Sequence, residues 1–436
     1  MRVETGATAE NVTADRTVQR AVKPTGRRTL RALGNPNYRL YFFGQFVSQT
    51  GSWLQRTAQA WLVLVDLHGS PADLGLLTAL QFTPIMVLTL FAGVIADRFP
   101  KRRLMFVIQA ISTVQAAAMA ILTLTGVVQL WQVYVLAFIL GLVSAFDFPT
   151  RQSFVSELVS REELQSAIGL NSSVFNGARI IGPGMGGLVI ALVGSGWCFA
   201  LNAVSFLAVL ISLAMLDTRR LHEIRRGPRA ALWTQLADGL RYAAGHPRLS
   251  FAIGVLAFIG TFGYNFGVAL PLLATQALGL DSVGFGSLNA AMGIGALIAA
   301  LGVVARLTPS DVKVLGAGGV FSALLLVAAF TPWPVVLVLL VLLGVANVTY
   351  SAMTNTTLQL NSDEAYRGRV LSLYTLLFAG TTPIGGALTG WLADRWGIQS
   401  ALAIEAGVCL LAVLGGGLFL ASRSREVARS RVGPAS

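Results

Sequence analysis

The chain has 436 residues, of which 54% are hydrophobic and only 12% charged, and its formal net charge is +12. Soluble domains carry about a quarter charged residues, so water is excluded as the main solvent. The three histidines and two cysteines show no metal-ligand spacing, and no nucleophile constellation or P-loop accompanies them. An enzyme, a metalloprotein and an ATP-driven pump are therefore disfavoured, and no cofactor is expected.

Residues 1–37 are polar and lack a short apolar run ending in a small-residue cleavage site, so they read as a disordered cytoplasmic tail and not as a signal peptide. Twelve apolar runs follow, near 38–66, 72–96, 104–126, 130–149, 166–193, 196–216, 249–275, 284–305, 312–330, 333–355, 368–391 and 399–421. A hydrocarbon core takes about 20 apolar residues per helix, which each run can supply. The expected fold class is an all-α polytopic membrane protein with twelve transmembrane helices. The longest connection, 217–248, divides them into two six-helix halves, 38–216 and 249–421, and residues 422–436 form a second cytoplasmic tail. Inside that connection, Leu232, Leu236 and Leu240 recur at four-residue spacing over 230–244, the pattern of a helix lying along a membrane surface. A shift of 200 positions aligns Glu163 with Asp363, Pro183 with Pro383 and Gly186 with Gly386, the trace of an internal repeat. Duplicated transporters are built this way, and a duplicated channel subunit would fit too.

An even number of spans puts both termini on one side. With that side cytoplasmic, 29 of the 32 Lys and Arg residues fall in the tails and in alternate connections, leaving Arg56, Arg179 and Arg395 elsewhere. Positive charge spread over every second loop is a topological signal, and a nucleic-acid partner, which would need it gathered on one face, is not expected. Arginine outnumbers lysine 29 to 3, pointing to a GC-rich bacterial genome and hence a bacterial plasma (inner) membrane. Cys198 and Cys409 both sit inside predicted spans, so no disulfide is expected.

The first span carries Gln45, Gln49, Ser52, Arg56 and Gln59 at spacings of 4, 3, 4 and 3, all on one helix face. An unsatisfied polar group in hydrocarbon costs several kcal/mol, so this stripe faces protein or a water-filled cavity. Arg56 lies near the middle of its run, too deep to reach the interface, and marks a substrate path or a structural pair. Ser172, Asn176, Arg179 and Pro183 repeat the device in the fifth span. Tyr264 and Asn265 in the seventh span, with Asn347, Ser351 and Thr354 in the tenth, are candidates for the opposite wall, although such groups also serve simply to bond neighbouring helices. For proton coupling the embedded carboxylates are Asp147, near the cytoplasmic end of the fourth span, and Glu405 in the twelfth; no acid stands at mid-depth beside Arg56.

The connection between the second and third spans holds Gly93, Asp97, Arg98, Pro100, Lys101, Arg102 and Arg103. It resembles the loop signature of the major facilitator superfamily, with Pro100 where a glycine is expected. The resemblance implies a cytoplasmic latch that breaks and reforms as the two halves rock, formed by Gly93, Asp97, Arg98, Lys101 and Arg102 with Arg151, Arg367 and Arg369; plain topogenic charge is the simpler reading. Gly182, Pro183, Gly184, Gly186 and Gly187 in the fifth span are similar to the antiporter signature of drug exporters in that superfamily. Small residues and a proline make this run a close-packed joint at Gly182, Pro183, Gly186 and Gly187. The run also satisfies G-x-G-x-x-G, but within an apolar span and with no strand before it, which rules out a dinucleotide site.

Asp147 to Gln152, the pair Arg367 and Arg369, and Gly390 to Arg395 look like the branch containing enterobactin exporters and related drug-efflux proteins, a resemblance running from about Asn35 to Ser422. It implies a monomer in the lipid bilayer that exports a hydrophobic or amphipathic small molecule against proton entry, by alternating access. Proton-driven uptake shares every topological feature of this reading. A non-transporting scaffold or receptor is less suited to the polar stripes, since it gains little from a wet interior.

Overall fold

The computed structural model describes residues 30–222 and 232–431, apart from the side chains of 89–91, 93–98, 232–236, 305, 379 and 423–431. A short turn, Arg31–Gly34, leads into α1, Pro36–Trp61, which runs on as a π-helical turn through Leu62–Asp66. Asn35 caps α1 by accepting from the backbone N–H groups of Asn37 and Tyr38, and Pro36 takes the first helical position, where no intrahelical donor is needed. Residues 30–37 are thus structured, with Ala32 buried and Arg31 paired to Glu162, which moves the boundary expected at 37 back into the tail.

The remaining helices of the first half are α2 (Pro71–Arg98), α3 (Lys101–Leu124), α4 (Leu130–Leu158), α5 (Leu164–Val193) and α6 (Ser195–Met215). In the connection lies α7 (Leu232–Ala244). The second half opens with α8 (Pro247–Phe258) and a π-helical turn, Ile259–Gly263, and resumes after Tyr264 and Asn265 as α9 (Phe266–Leu272). It continues through α10 (Ser282–Ile298), α11 (Asp311–Ala329), α12 (Val335–Leu360), α13 (Glu364–Ala379), α14 (Thr382–Trp396) and α15 (Ile398–Arg431). The tail expected from 422 is helical as far as Arg431.

Eleven segments among the described residues are long and apolar enough to cross a membrane. The first predicted span is absent from that set because its polar stripe dilutes its hydropathy, although α1 has 26 residues, enough for a crossing. Two joints are made by single glycines: Gly194 (φ 91°) between α5 and α6, and Gly397 (φ 79°) between α14 and α15. Positive φ is nearly free only for glycine, so each joint reverses the chain without a loop. They recur at corresponding places in the two halves, as the internal repeat requires.

Helix pairing repeats as well. In the first half α2 packs on α4, α3 on α6 and α1 on α6; in the second, α10 packs on α12, α11 on α15 and α8 on α15. Between the halves, α5 packs along α10 and α2 along α14. The helix α7 docks on the second half: Gly239 lies against the Arg369 backbone, Asp238 pairs with Arg369 at 3.3 Å, and the Tyr242 hydroxyl accepts from the Asp363 N–H at 3.0 Å. Leu240 stays exposed, and the side chains of Leu232 and Leu236 lie outside the described residues.

Candidate functional site

A cavity of about 330 Å³ lies between the halves. Arg56, Gln59 and Trp53 of α1, Arg179 and Pro183 of α5, Gln81 of α2, and Tyr264, Asn265, Asn289 and Asn347 from the second half all reach it. Phe82, Phe266, Phe285 and Phe378 complete an aromatic wall. The break between α8 and α9 delivers Tyr264 and Asn265 to this space, since neither residue is helical and both turn inward. Arg56 stands over the Trp53 indole at 4.8 Å, a cation–π contact. Gln59 is 2% exposed, and neither its Oε1 nor its Nε2 has a partner among the described residues. Of the residues expected along a substrate path, Arg56, Gln59, Arg179, Tyr264, Asn265 and Asn347 thus meet in one cavity.

The others are placed differently. Gln49 and Ser52 line a second, smaller cleft of about 70 Å³ inside the first half, with Gln109, Asp147 and Arg151; Arg56 borders both spaces. Gln45 is buried, lines neither, and has no partner for its Nε2 among the described residues. The α1 stripe therefore changes compartment along its length, because its end near the basic connections is enclosed by its own half. Ser172 is exposed and Asn176 half-buried, with the Asn176 amide donating to the Ser172 carbonyl at 2.8 Å; they carry the α5 stripe onward from Arg179. Ser351 donates to the Asn347 carbonyl (2.8 Å) and so accepts from the Tyr264 hydroxyl (2.9 Å), bracing the tyrosine from behind.

Arg151, expected in a cytoplasmic latch, forms an ion pair with Asp147 one turn earlier on α4, and its guanidinium also donates to the Gln49 carboxamide oxygen. The Gln109 amide donates to Asp147 at 3.2 Å. The apolar run ends at Pro149, but α4 continues nine residues further, to Leu158. A proline deletes one backbone hydrogen bond without ending the helix here, so the Arg151 charge is inside the bundle and does not count as a loop charge. Lys101 pairs with Glu157 at 3.7 Å, and Arg102 donates to the carbonyls of Leu213 (2.7 Å) and Ala214 (3.2 Å), where the end of α6 leaves acceptors free. Arg367 donates to the Gln359 carbonyl at 3.2 Å. Each of these contacts stays within one half or, for Arg369 with Asp238, joins the second half to α7. The side chains of Gly93, Asp97 and Arg98 lie outside the described residues.

Glu405 on α15 is 1% exposed. The Thr389 hydroxyl donates to its carboxylate, the Asn265 side chain stands beside it, and no ion pair to it exists among the described residues. Since Asn265 lines the large cavity, one side chain separates this carboxyl from that space.

The fifth-span glycine motif lies on the seam between the halves. Gly182 and Gly186 face Trp53 and Thr57 of α1, while Gly187 abuts Ser282 and Gly286 of α10. On the other seam Gly75 of α2 abuts Gly386 and Gly390 of α14. Any side chain at Gly75, Gly187, Gly286 or Gly390 would meet backbone, so both seams depend on glycine to bring helices this close. Trp61 stacks on Phe285 nearby, with centroids 6.4 Å apart. Both seams lie toward the end of the bundle remote from the basic connections and seal the cavity there.

The sequence reading missed an interior amide network. Asn202 donates to Gln55 (2.7 Å), Gln55 to Gln115 (3.2 Å), and Gln115 to the Leu136 carbonyl (3.1 Å), tying α6, α1, α3 and α4 together. A lone Asn or Gln within an apolar run was the available signal. Asn202→Leu should orphan a buried amide and lower the stability of the purified protein by about 1–2 kcal/mol, read as a fall in Tm.

A bundle of membrane-length helices enclosing a ligand-sized polar cavity between two like halves defines a multi-pass membrane transporter of the major facilitator type. The model of the transmembrane secretion effector family matches residues 28–431, and the chain belongs to that family. It is 29% identical to the multidrug efflux pump Tap of Mycolicibacterium fortuitum, over 86% of this chain and 94% of the pump. It is 26% identical to the staphyloferrin A transporter of Staphylococcus aureus (84% and 91% covered), and 26% identical to the enterobactin exporter EntS of Escherichia coli (87% and 91%). Among solved structures, a bacterial homologue of the human lysosomal transporter Spinster, in an inward-facing and unoccupied conformation, shares the fold with a TM-score of 0.67 at 15% identity, covering 89% of this chain and 97% of that one.

Proposed function

We propose that this chain is a proton-coupled exporter of an amphipathic small molecule, working by alternating access in a bacterial inner membrane. The observation that carries this reading is the cavity built from both halves, polar where Arg56, Arg179 and Asn265 reach it and apolar, with several aromatic faces, elsewhere. In this reading α1 supplies the twelfth crossing, both termini are cytoplasmic, and the halves 38–216 and 249–421 rock as units within a monomer. The glycine seams then lie on the periplasmic side, so the cavity is closed outward, and the exposed Ser172 with the half-buried Asn176 marks its cytoplasmic approach. The efflux named for Tap and EntS supports the outward direction.

In inside-out vesicles with an acid interior, dyes of either charge sign such as fluorescein and rhodamine 6G test this directly. At least one should accumulate and be released when an uncoupler collapses the gradient. Accumulation in right-side-out vesicles instead would reverse the direction to uptake.

The seam makes its own prediction. Gly187→Val places a side chain against the Ser282 backbone. Overpacking of this kind costs about 1–3 kcal/mol, enough to shift a two-state population about tenfold toward the outward-open form. Phe285, 2% exposed, would be uncovered by that opening. A cysteine at Phe285 should therefore react about tenfold faster with an impermeant maleimide on whole cells when Gly187→Val is also present. Cys198 and Cys409 are both buried and leave the background silent.

A further inference from the structure

The charges on the cavity wall define the substrate further. Arg56 and Arg179 both line it, and no Asp or Glu is among its lining residues. Neither guanidinium has a carboxylate partner among the described residues: Arg56 has only the Trp53 face, whereas Arg151, one compartment away, is already neutralised by Asp147. Glu405 lies behind Asn265 and off the wall. Two cations with no counter-charge on the wall they share repel each other, and an entering anion relieves that repulsion.

A second, independent feature points to a ligand. Gln59 is 2% exposed on the same wall, and both of its amide atoms lack partners among the described residues, although an orphaned buried amide costs about 1–3 kcal/mol. The unmet groups are therefore two guanidinium forks and a carboxamide, beside the faces of Trp53, Phe285 and Phe378. Guanidinium forks match the two oxygens of a carboxylate or a similar oxyanion, and the aromatic faces take a flat apolar body.

We infer that the substrate is an amphipathic organic anion, held by Arg56 and Arg179 through an oxyanion and by the aromatic wall through its apolar body. This rests on the transporter reading above but not on its direction or its coupling. An amphipathic cation is excluded from the central position by like charge.

The test is equilibrium binding to the full chain in lipid nanodiscs, with no gradient present, using fluorescein anisotropy. Saturable binding is expected, displaced by 2-naphthoate and not by 2-naphthylmethylammonium, which has the same ring and the opposite charge. Arg56→Gln and Arg179→Gln should each weaken fluorescein binding by about tenfold or more, the usual loss for a charge-assisted hydrogen bond, while Arg56→Lys regains part of it. No saturable fluorescein signal, displacement by the amine as readily as by the acid, or unchanged affinity in the double glutamine variant would each overturn the inference. The comparison of acid with amine uses the wild-type chain, so it stands even if a variant folds poorly. A chain that binds as expected but fails the vesicle assay loses the export reading and keeps this one.

Discussion

Glu405→Gln is expected to reduce gradient-driven transport to the background of vesicles lacking the protein, while equilibrium binding of substrate persists. Glutamine keeps the shape of the carboxyl and can still accept from the Thr389 hydroxyl, so the packing around α15 is retained. What it cannot do is take up and release a proton. Among the described residues Glu405 has no ion-pair partner, so a proton is the species available to neutralise it. Its neighbour Asn265 sits at the break between α8 and α9, where helical hydrogen bonding is already interrupted and the backbone can shift at low cost. Protonation at Glu405 would thus be felt at the cavity wall through a single side chain. The measurement pairs ΔpH-driven dye accumulation with substrate exchange at zero gradient. Lost accumulation with preserved exchange assigns coupling to Glu405. If both survive, the carboxyl is a packing element and the coupling acid lies elsewhere.

How much of this was legible in the sequence depended on whether a residue's partner is close along the chain. The spans were legible because their apolar runs are local, and their edges moved only where composition and backbone disagree. The run ending at Pro149 hid a helix that continues to Leu158, and with it the fact that Asp147 and Arg151 form an internal pair. The α1 stripe was legible as polar, but a helical wheel cannot say that Arg56 and Gln59 face one compartment while Gln49 and Ser52 face another. That division is set by α3, α4 and α6, which are distant in sequence. The same applies to Gly187 and Gly75, whose need for glycine comes from the backbones of α10 and α14 across the seam. The break at Tyr264 and Asn265 carried no local signal beyond two polar side chains in an apolar run. Lys101 and Arg102 were legible as basic residues of the connection between the second and third spans, but their partners in the structure, Glu157 and the end of α6, could not be read from spacing.

Asp147→Asn is expected to destabilise the first half by about 3–5 kcal/mol, the usual consequence of removing one partner from a buried ion pair. Asp147 and Arg151 have side chains only 13% and 19% exposed. Without the carboxylate, Arg151 keeps a carboxamide acceptor on Gln49 but no counter-charge, in a cleft that Arg56 already borders. The loss should appear as a lower Tm in detergent and reduced yield in the membrane. Arg151→Gln in the same chain removes the orphaned charge and should recover most of the loss, because two amides of similar size can bond each other and Gln109. The double variant also separates two roles that the sequence leaves open for Asp147. Were it the coupling acid, a stable double variant would still fail to accumulate dye against a proton gradient. Since Arg151 neutralises Asp147 and no counter-charge reaches Glu405 among the described residues, accumulation should return along with stability. On that outcome the pair is a fixed internal strut beside Arg56, and Glu405 in the second half stays the proposed coupling acid.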